Sequence, residues 1–225
     1  MTPVAARYAA VRRRVEDAAD LVGRDPSEVR IVAVTKTVGL EEVGAALAAG
    51  IVDFGENRVQ EFLGKYGLFP QANWHFIGTL QTNKVKDVVG RAHLIHSVDS
   101  LKLLLAIAHK AQVQGVVQPV LLQVNISGEE SKHGFAGREV HDVLASAFEL
   151  EGVRIRGLMT MAPLGRPDEA RQVFRALREL RDSLRVSAPN GVELDELSMG
   201  MTGDYQVAVE EGATIIRVGH GLFGR

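Results

Sequence analysis

Lys36 directly follows Ile31-Val32-Ala33-Val34-Thr35, a β-branched apolar run that reads as a buried strand. Desolvation at such a strand end favours a neutral amine, a nucleophile toward an aldehyde; a solvated lysine at an element terminus is the other reading of the same residues. Two later segments carry anion chemistry. Ser198-Met199-Gly200-Met201-Thr202-Gly203-Asp204 joins hydroxyls and glycines ahead of a helical stretch, where side-chain O–H and backbone N–H groups can face a phosphate. Arg217-Val218-Gly219-His220-Gly221-Leu222-Phe223-Gly224 repeats the pattern, its glycines letting backbone approach a ligand. Gly219, Gly221 and Gly224 also spell a dinucleotide-type glycine motif, but the sequence ends at Arg225, short of the helix, strand and acidic residue such a site requires.

Smaller signals lie between. Asn57, in Phe54-Gly55-Glu56-Asn57-Arg58, can present an amide to a ligand or cap a helix. His75 reads as a hydrogen-bonded core histidine facing the interior. Lys132-His133-Gly134-Phe135 forms a loop with no clear role for either basic residue, and Met159, Met161, Met199 and Met201 read as packing and pocket wall. Cysteine is absent, which removes thiolate metal sites and cysteine nucleophiles, and no metal site is expected.

The elements that must position these residues alternate. An amphipathic helix at 3 to 22 precedes eight apolar runs beginning at Arg30, Val52, Trp74, Leu94, Pro119, Val153, Glu196 and Thr214. Helical patterns fall between them at 40–49, 56–66, 82–89, 99–112, 138–148, 167–184 and 203–211. Continuous apolar strands of this kind belong in a parallel sheet covered by helices. Eight units close a (β/α)8 TIM barrel, small for that fold at 225 residues, although an open doubly wound sheet has the same alternation. No linker or low-complexity tract divides the chain, so one domain over 1–225 is expected, with an N-terminal helix and lead-in over 1–28. Lys and Arg number 26 against 28 Asp and Glu, a net charge of −2 that leaves no basic surplus for nucleic acid. No apolar leader or membrane-length stretch occurs, and the expected location is cytoplasmic.

Taken together, Ala33-Val34-Thr35-Lys36, Phe54-Gly55-Glu56-Asn57, Trp74-His75-Phe76-Ile77-Gly78, Gln123-Val124-Asn125, Gly157-Leu158-Met159-Thr160-Met161, Leu197 through Asp204, and Arg217-Val218-Gly219 with Leu222-Phe223-Gly224 resemble the pyridoxal 5′-phosphate (PLP) homeostasis protein family. Each motif is weak alone, and the ordered set is specific. The resemblance implies a fold-type III PLP barrel, like the N-terminal domain of alanine racemase, with Lys36 forming an internal aldimine (a Schiff base). It also implies Arg217 against the pyridine nitrogen, and Ser198 with the backbone of Gly219 and His220 on the phosphate. Asn57 joins them as a binding residue. Two departures stand out: Thr202 where serine is common, and His220-Gly221 where a hydroxyl residue is common, which puts one phosphate contact in doubt.

The implied role is a carrier and regulator of this vitamin B6 cofactor, not an enzyme, acting as a monomer or weak dimer with PLP-dependent enzymes as recipients. A racemase of low activity is the alternative. The racemase draws a second base from a C-terminal domain, and nothing follows Arg225 here to supply one. A Schiff-base aldolase acting on a phosphosugar shares the lysine and the phosphate site, and it predicts a colourless protein.

Overall fold

The computed structural model describes residues 2–129, 133–147, 150–163, 165–187 and 192–224. Lys132 and Arg225 lie outside the described residues, as does the expected end of the 138–148 helix. Eight parallel strands, β1 (Arg30–Val34), β2 (Asp53–Glu56), β3 (Asn73–Phe76), β4 (Leu94–Val98), β5 (Gln118–Gln123), β6 (Val153–Met159), β7 (Glu196–Ser198) and β8 (Ile215–Val218), pair in sequence order and close into a barrel. Closure decides for the barrel and against the open sheet. Each expected strand is found within a few residues of its place.

The helices are α1 (Pro3–Asp20), α2 (Leu40–Ala48), α3 (Val59–Tyr66), α4 (Val85–Val88), α5 (Leu101–Gln114), α6 (Val140–Ala147), α7 (Pro167–Ser187), α8 (Tyr205–Glu210) and α9 (His220–Phe223). Thr2 caps α1 ahead of Pro3, and α1 packs against α8 and α9, so the expected extra helix covers the seam side of the barrel. Two departures have local causes. The 82–89 segment divides into a 3-10 turn (Thr82–Lys84) and a single turn of α-helix, which ends where Val89 turns extended ahead of Gly90 at φ 78°. The α9 turn was not expected, since a glycine-rich segment has low helix propensity; Gly219 opens it and Gly224, at φ 74°, ends it.

The core has two parts. Most buried side chains, among them Phe54, Trp74, Phe76 and Phe174, fill the layer between barrel and helices. Inside the barrel, Val32, Leu94, Leu121, Met159 and Ile215 form a separate apolar cluster. This is the layered filling that closed barrels require, and it leaves the mouth at the strands' C-terminal ends to loops.

A buried ion pair interrupts the outer layer. Glu56 at the end of β2 is fully buried, and its carboxylate accepts from Lys65 Nζ of α3 (2.5 Å) and from the Thr35 hydroxyl (2.7 Å). Lys65 Nζ also donates to the Thr35 carbonyl at 2.7 Å. The pair therefore ties α3 to the ends of β1 and β2 directly behind residue 36. Lys65→Met leaves a buried carboxylate unpaired and is expected to cost about 3 kcal/mol or more at neutral pH, by denaturant unfolding. Glu56→Gln added to Lys65→Met is expected to recover part of that loss, and a single variant as stable as wild type would contradict the pairing.

Candidate functional site

Pairing of β8 with β1 puts Val32 opposite Arg217 and Ala33 opposite Val218, so the loops after these strands share one side of the barrel mouth. A cavity of about 710 Å³ opens there, within the range of small-molecule sites. Lys36, Asn57, Arg217, Gly219 and His220 line it, as do Thr202, Gln123 and His133. Five of the six site residues read from the sequence thus meet in one place. Ser198 is the exception. It is fully buried within the barrel wall, its Oγ accepting from Arg217 Nη1 at 2.6 Å and lying 2.8 Å from His96 Nδ1. Ser198 is the last residue of β7, and the strand's alternation turns its side chain into the interior, below the mouth. The hydroxyl that reaches the cavity from this segment is Thr202.

Lys36 lies on an exposed turn, so the desolvation expected at the strand end is not what distinguishes it. What distinguishes it is the backbone. Thr37 has φ 64°, a left-handed conformation that a β-branched residue adopts only under constraint, and strain of this kind gathers at functional sites. The Thr37 N–H donates to Glu61 Oε2 at 3.2 Å, and its hydroxyl donates to the Lys36 carbonyl at 2.6 Å. With Thr35 held by the Glu56–Lys65 pair, the backbone on both sides of Lys36 is fastened while its side chain stays free to reach the cavity.

Arg217 is the opposite case. Its guanidinium is buried, donating to Ser198 and to the Thr160 carbonyl at 3.0 Å. Burial pushes its pKa down to about 10, against a favourable field from Asp204, so it remains a cation at neutral pH. Beneath it His96 Nε2 lies 2.9 Å from His75 Nδ1, and His75 Nε2 lies 3.1 Å from Asp53 Oδ1. The core reading of His75 is therefore apt. His96, on β4, was passed over, although its spacing of two from Leu94 marks it as interior.

On the far wall the Asn57 side-chain oxygen is buried without a hydrogen-bond partner. Gly78 backs it: a Cβ there would come within 2.7 Å of the Asn57 Cα, so only glycine lets the two turns touch. After β7, Gly200 turns the chain at φ 91°, and Asp204 accepts from the Met201 N–H at 2.5 Å. These bonds shape the turn that presents Thr202. Thr202 Oγ1 accepts a long 3.4 Å bond from the Gly221 N–H, which ties the two glycine-rich loops together and leaves its hydroxyl proton to give. His133 reaches the cavity from the loop after β5, 3.8 Å from Asp99. Met161 and Met201 form pocket wall, whereas Met159 and Met199 are buried packing.

The family described as alanine racemase, N-terminal domain, matches residues 7–225. A pyridoxal phosphate homeostasis protein of Aquifex aeolicus is 43% identical over 97% of this chain and 96% of its own length. One from Pseudomonas aeruginosa is 39% identical over 100% of this chain and 96% of its own. Among solved structures, PipY of Synechococcus elongatus with PLP bound superposes with a TM-score of 0.87 at 37% identity, over 98% of this chain and 100% of that one. An alanine racemase of Clostridium difficile shares the fold with a TM-score of 0.74 at 15% identity, over 95% of this chain and 59% of the racemase.

Two outcomes follow from the site's geometry. Asn tolerates the left-handed region far better than threonine, so Thr37→Asn is expected to raise unfolding stability by about 1 kcal/mol; a loss of stability would remove strain from the description. Burial lowers the pKa of His75, and that of His96 well below 6.5, so both stay neutral in the fold. Unfolding lets them take up protons below about pH 6.5, so the unfolded state binds more protons and stability falls as the solution is acidified. A pH series of denaturant melts is expected to show that decline, and a curve flat from neutral pH down to pH ~5 would contradict two neutral buried rings.

Proposed function

We infer the function from one premise: this chain belongs to the pyridoxal phosphate homeostasis protein family. It binds pyridoxal 5′-phosphate and acts in PLP homeostasis, as its relatives' names and the PLP-bound PipY structure support. The carrying observation is a buried, permanently charged Arg217 and a reachable Lys36 amine on one cavity, delivered by adjacent strands.

The residues fit the cofactor's chemistry. Bound PLP supplies an aldehyde that joins amines reversibly and a pyridine ring that withdraws electrons. Lys36 supplies the amine for that link. Arg217 would face the ring nitrogen of bound PLP; a guanidinium with a pKa of about 10 does not yield its proton at neutral pH, so it would offer that nitrogen a hydrogen bond and no proton, which would keep electron withdrawal weak. Thr202, Gly219 and His220 receive the phosphate, with Ser198 acting through Arg217. The unpartnered Asn57 oxygen accepts from the ligand side of the cavity.

This arrangement holds the aldehyde and does little to transform it. The reading is thus a non-catalytic carrier, working in the cytoplasm as a monomer or weak dimer and passing cofactor to PLP-dependent enzymes. Among the described residues no helix is long and apolar enough to cross a membrane.

Purified protein mixed with PLP is expected to gain visible absorbance, and borohydride is expected to fix one PLP to the peptide carrying Lys36. Lys36→Ala is expected to lose both signals while melting like the wild type. Retention of either signal would move the covalent link to another lysine. Incubation with single amino-acid enantiomers in deuterated solvent is expected to leave the α-hydrogen in place; exchange at that carbon would establish a racemase-like activity instead.

A further inference from the structure

The barrel interior holds a continuous line of hydrogen bonds that binding PLP at the mouth does not by itself require. It runs from Arg217 through Ser198, His96 and His75 to Asp53, with successive distances of 2.6, 2.8, 2.9 and 3.1 Å. Asp53 is the first residue of β2, at the opposite end of the barrel from the cavity. Donor counting fixes the direction. A guanidinium only donates, so Ser198 Oγ accepts from Arg217; a carboxylate only accepts, so a neutral His75 turns its hydrogen toward Asp53, its Nδ1 takes the hydrogen of His96 Nε2, and His96 Nδ1 is left to accept the Ser198 proton. His96 then carries hydrogen on Nε2 and donates to His75 Nδ1. His75 in turn carries hydrogen on Nε2 and donates to the Asp53 carboxylate. Both rings are neutral and of one tautomer, and every member of the line is satisfied.

The reverse order requires a protonated Asp53 or a doubly charged His75–Asp53 pair. The surroundings oppose both. Burial pushes the Asp53 carboxyl up, but the hydrogen bonds from His75 and Asn73, with the Arg30 charge, outweigh it and hold its pKa below the ordinary value. Burial keeps His75 and His96 neutral, and His93, whose ring lies 5.3 Å from that of His75, is itself lowered by burial and by Arg30. Head-to-tail bonds of this kind polarise one another. Neighbouring interior positions carry Val32, Leu94 and Leu121, so packing alone does not call for two histidines and a serine here.

We propose that Asp53, His75, His96 and Ser198 form a one-way relay that orients Arg217 from inside the barrel, making Asp53 a positioning residue for a cavity on the opposite face. The relay's effect on cofactor rests on the reading that Arg217 meets the PLP ring; its direction does not.

The test separates the two. In cofactor-free protein labelled with 15N-histidine, both rings are expected as the Nε2–H tautomer at neutral pH. An Nδ1–H tautomer or an imidazolium at either ring would overturn the relay, and this measurement needs no variant. Asp53→Ala removes the terminal acceptor, whereas Asp53→Asn keeps an oxygen in place. The alanine variant is expected to show mixed tautomers at His75 and His96 and about fivefold weaker PLP binding, the size of one lost orienting hydrogen bond. The asparagine variant is expected to keep the wild-type tautomers and affinity. Wild-type affinity and tautomers in Asp53→Ala would sink the proposal. Failure of the wild type to bind PLP would sink the functional reading and leave the ring tautomers to judge the relay.

Discussion

The mouth of this barrel exists because β8 pairs with β1 in one register. Arg30 with Ile215, Ile31 with Ile216, Val32 with Arg217 and Ala33 with Val218 are the residues that close the sheet. Lys36 and Arg217 come from opposite ends of the chain, and no local structure could bring them together. The register is held by what lies on each side of the sheet. Val32 and Ile215 face the small interior cluster, while Ile31, Ala33, Ile216 and Val218 face the helices. A slip of one residue would turn Arg217 into the apolar outer layer and Ile216 into its place, an exchange that hydrophobic burial on both faces forbids.

Closure also sets a cost. Arg217 stands just above an apolar layer, and the solvation it loses there pushes its pKa down to about 10. Hydrogen bonds to Ser198 and the Thr160 carbonyl offset part of this, and charge-assisted bonds are stronger than neutral ones. Buried polar groups are costly unless satisfied, and along this line satisfaction is passed inward from the guanidinium to serine, to two imidazoles and finally to a carboxylate at the partly exposed end. Ser198 is on this account better understood as the first support of Arg217 than as a phosphate ligand.

The fold was legible because its signals are local and repeated. Runs such as Ile31 to Thr35 and Val120 to Val124 are apolar on both faces, helical stretches fall between them, and eight such units fit one closed sheet. Lys36 and the two glycine-rich segments were legible because they lie at the C-terminal ends of strands, and Arg217 because it stands near the end of β8, where a barrel keeps its chemistry. What escaped was pairwise. The Glu56–Lys65 pair, the His75–His96 contact and the Thr37 backbone depend on which neighbour packing supplies. A lone buried histidine reads only as satisfied by something, and a lysine in the last turn of α3 reads as solvated surface. Ser198 shows the same limit at finer scale: one step along β7 separates a side chain in the interior from one in the layer outside, and motif resemblance does not resolve that step.

On the proposed function, Lys36 and Arg217 would answer two opposed demands made on any protein that holds a reactive aldehyde and gives it up again. Release requires that the linking amine be open to water and to a competing amine, which an exposed turn provides and a buried strand end would not. Retention then falls to groups that do not move, and the immobile one is a guanidinium fixed from two sides inside the wall. On the same proposal the left-handed Thr37 belongs to this division of labour: fastening the backbone around Lys36 would lower the ordering cost of a covalent link there without burying the amine. Shutting Lys36 away and loosening Arg217 would give the reverse character, a protein that captures its ligand slowly and positions it poorly. Exposure at the strand-one lysine is for this reason a property to be preserved in a carrier.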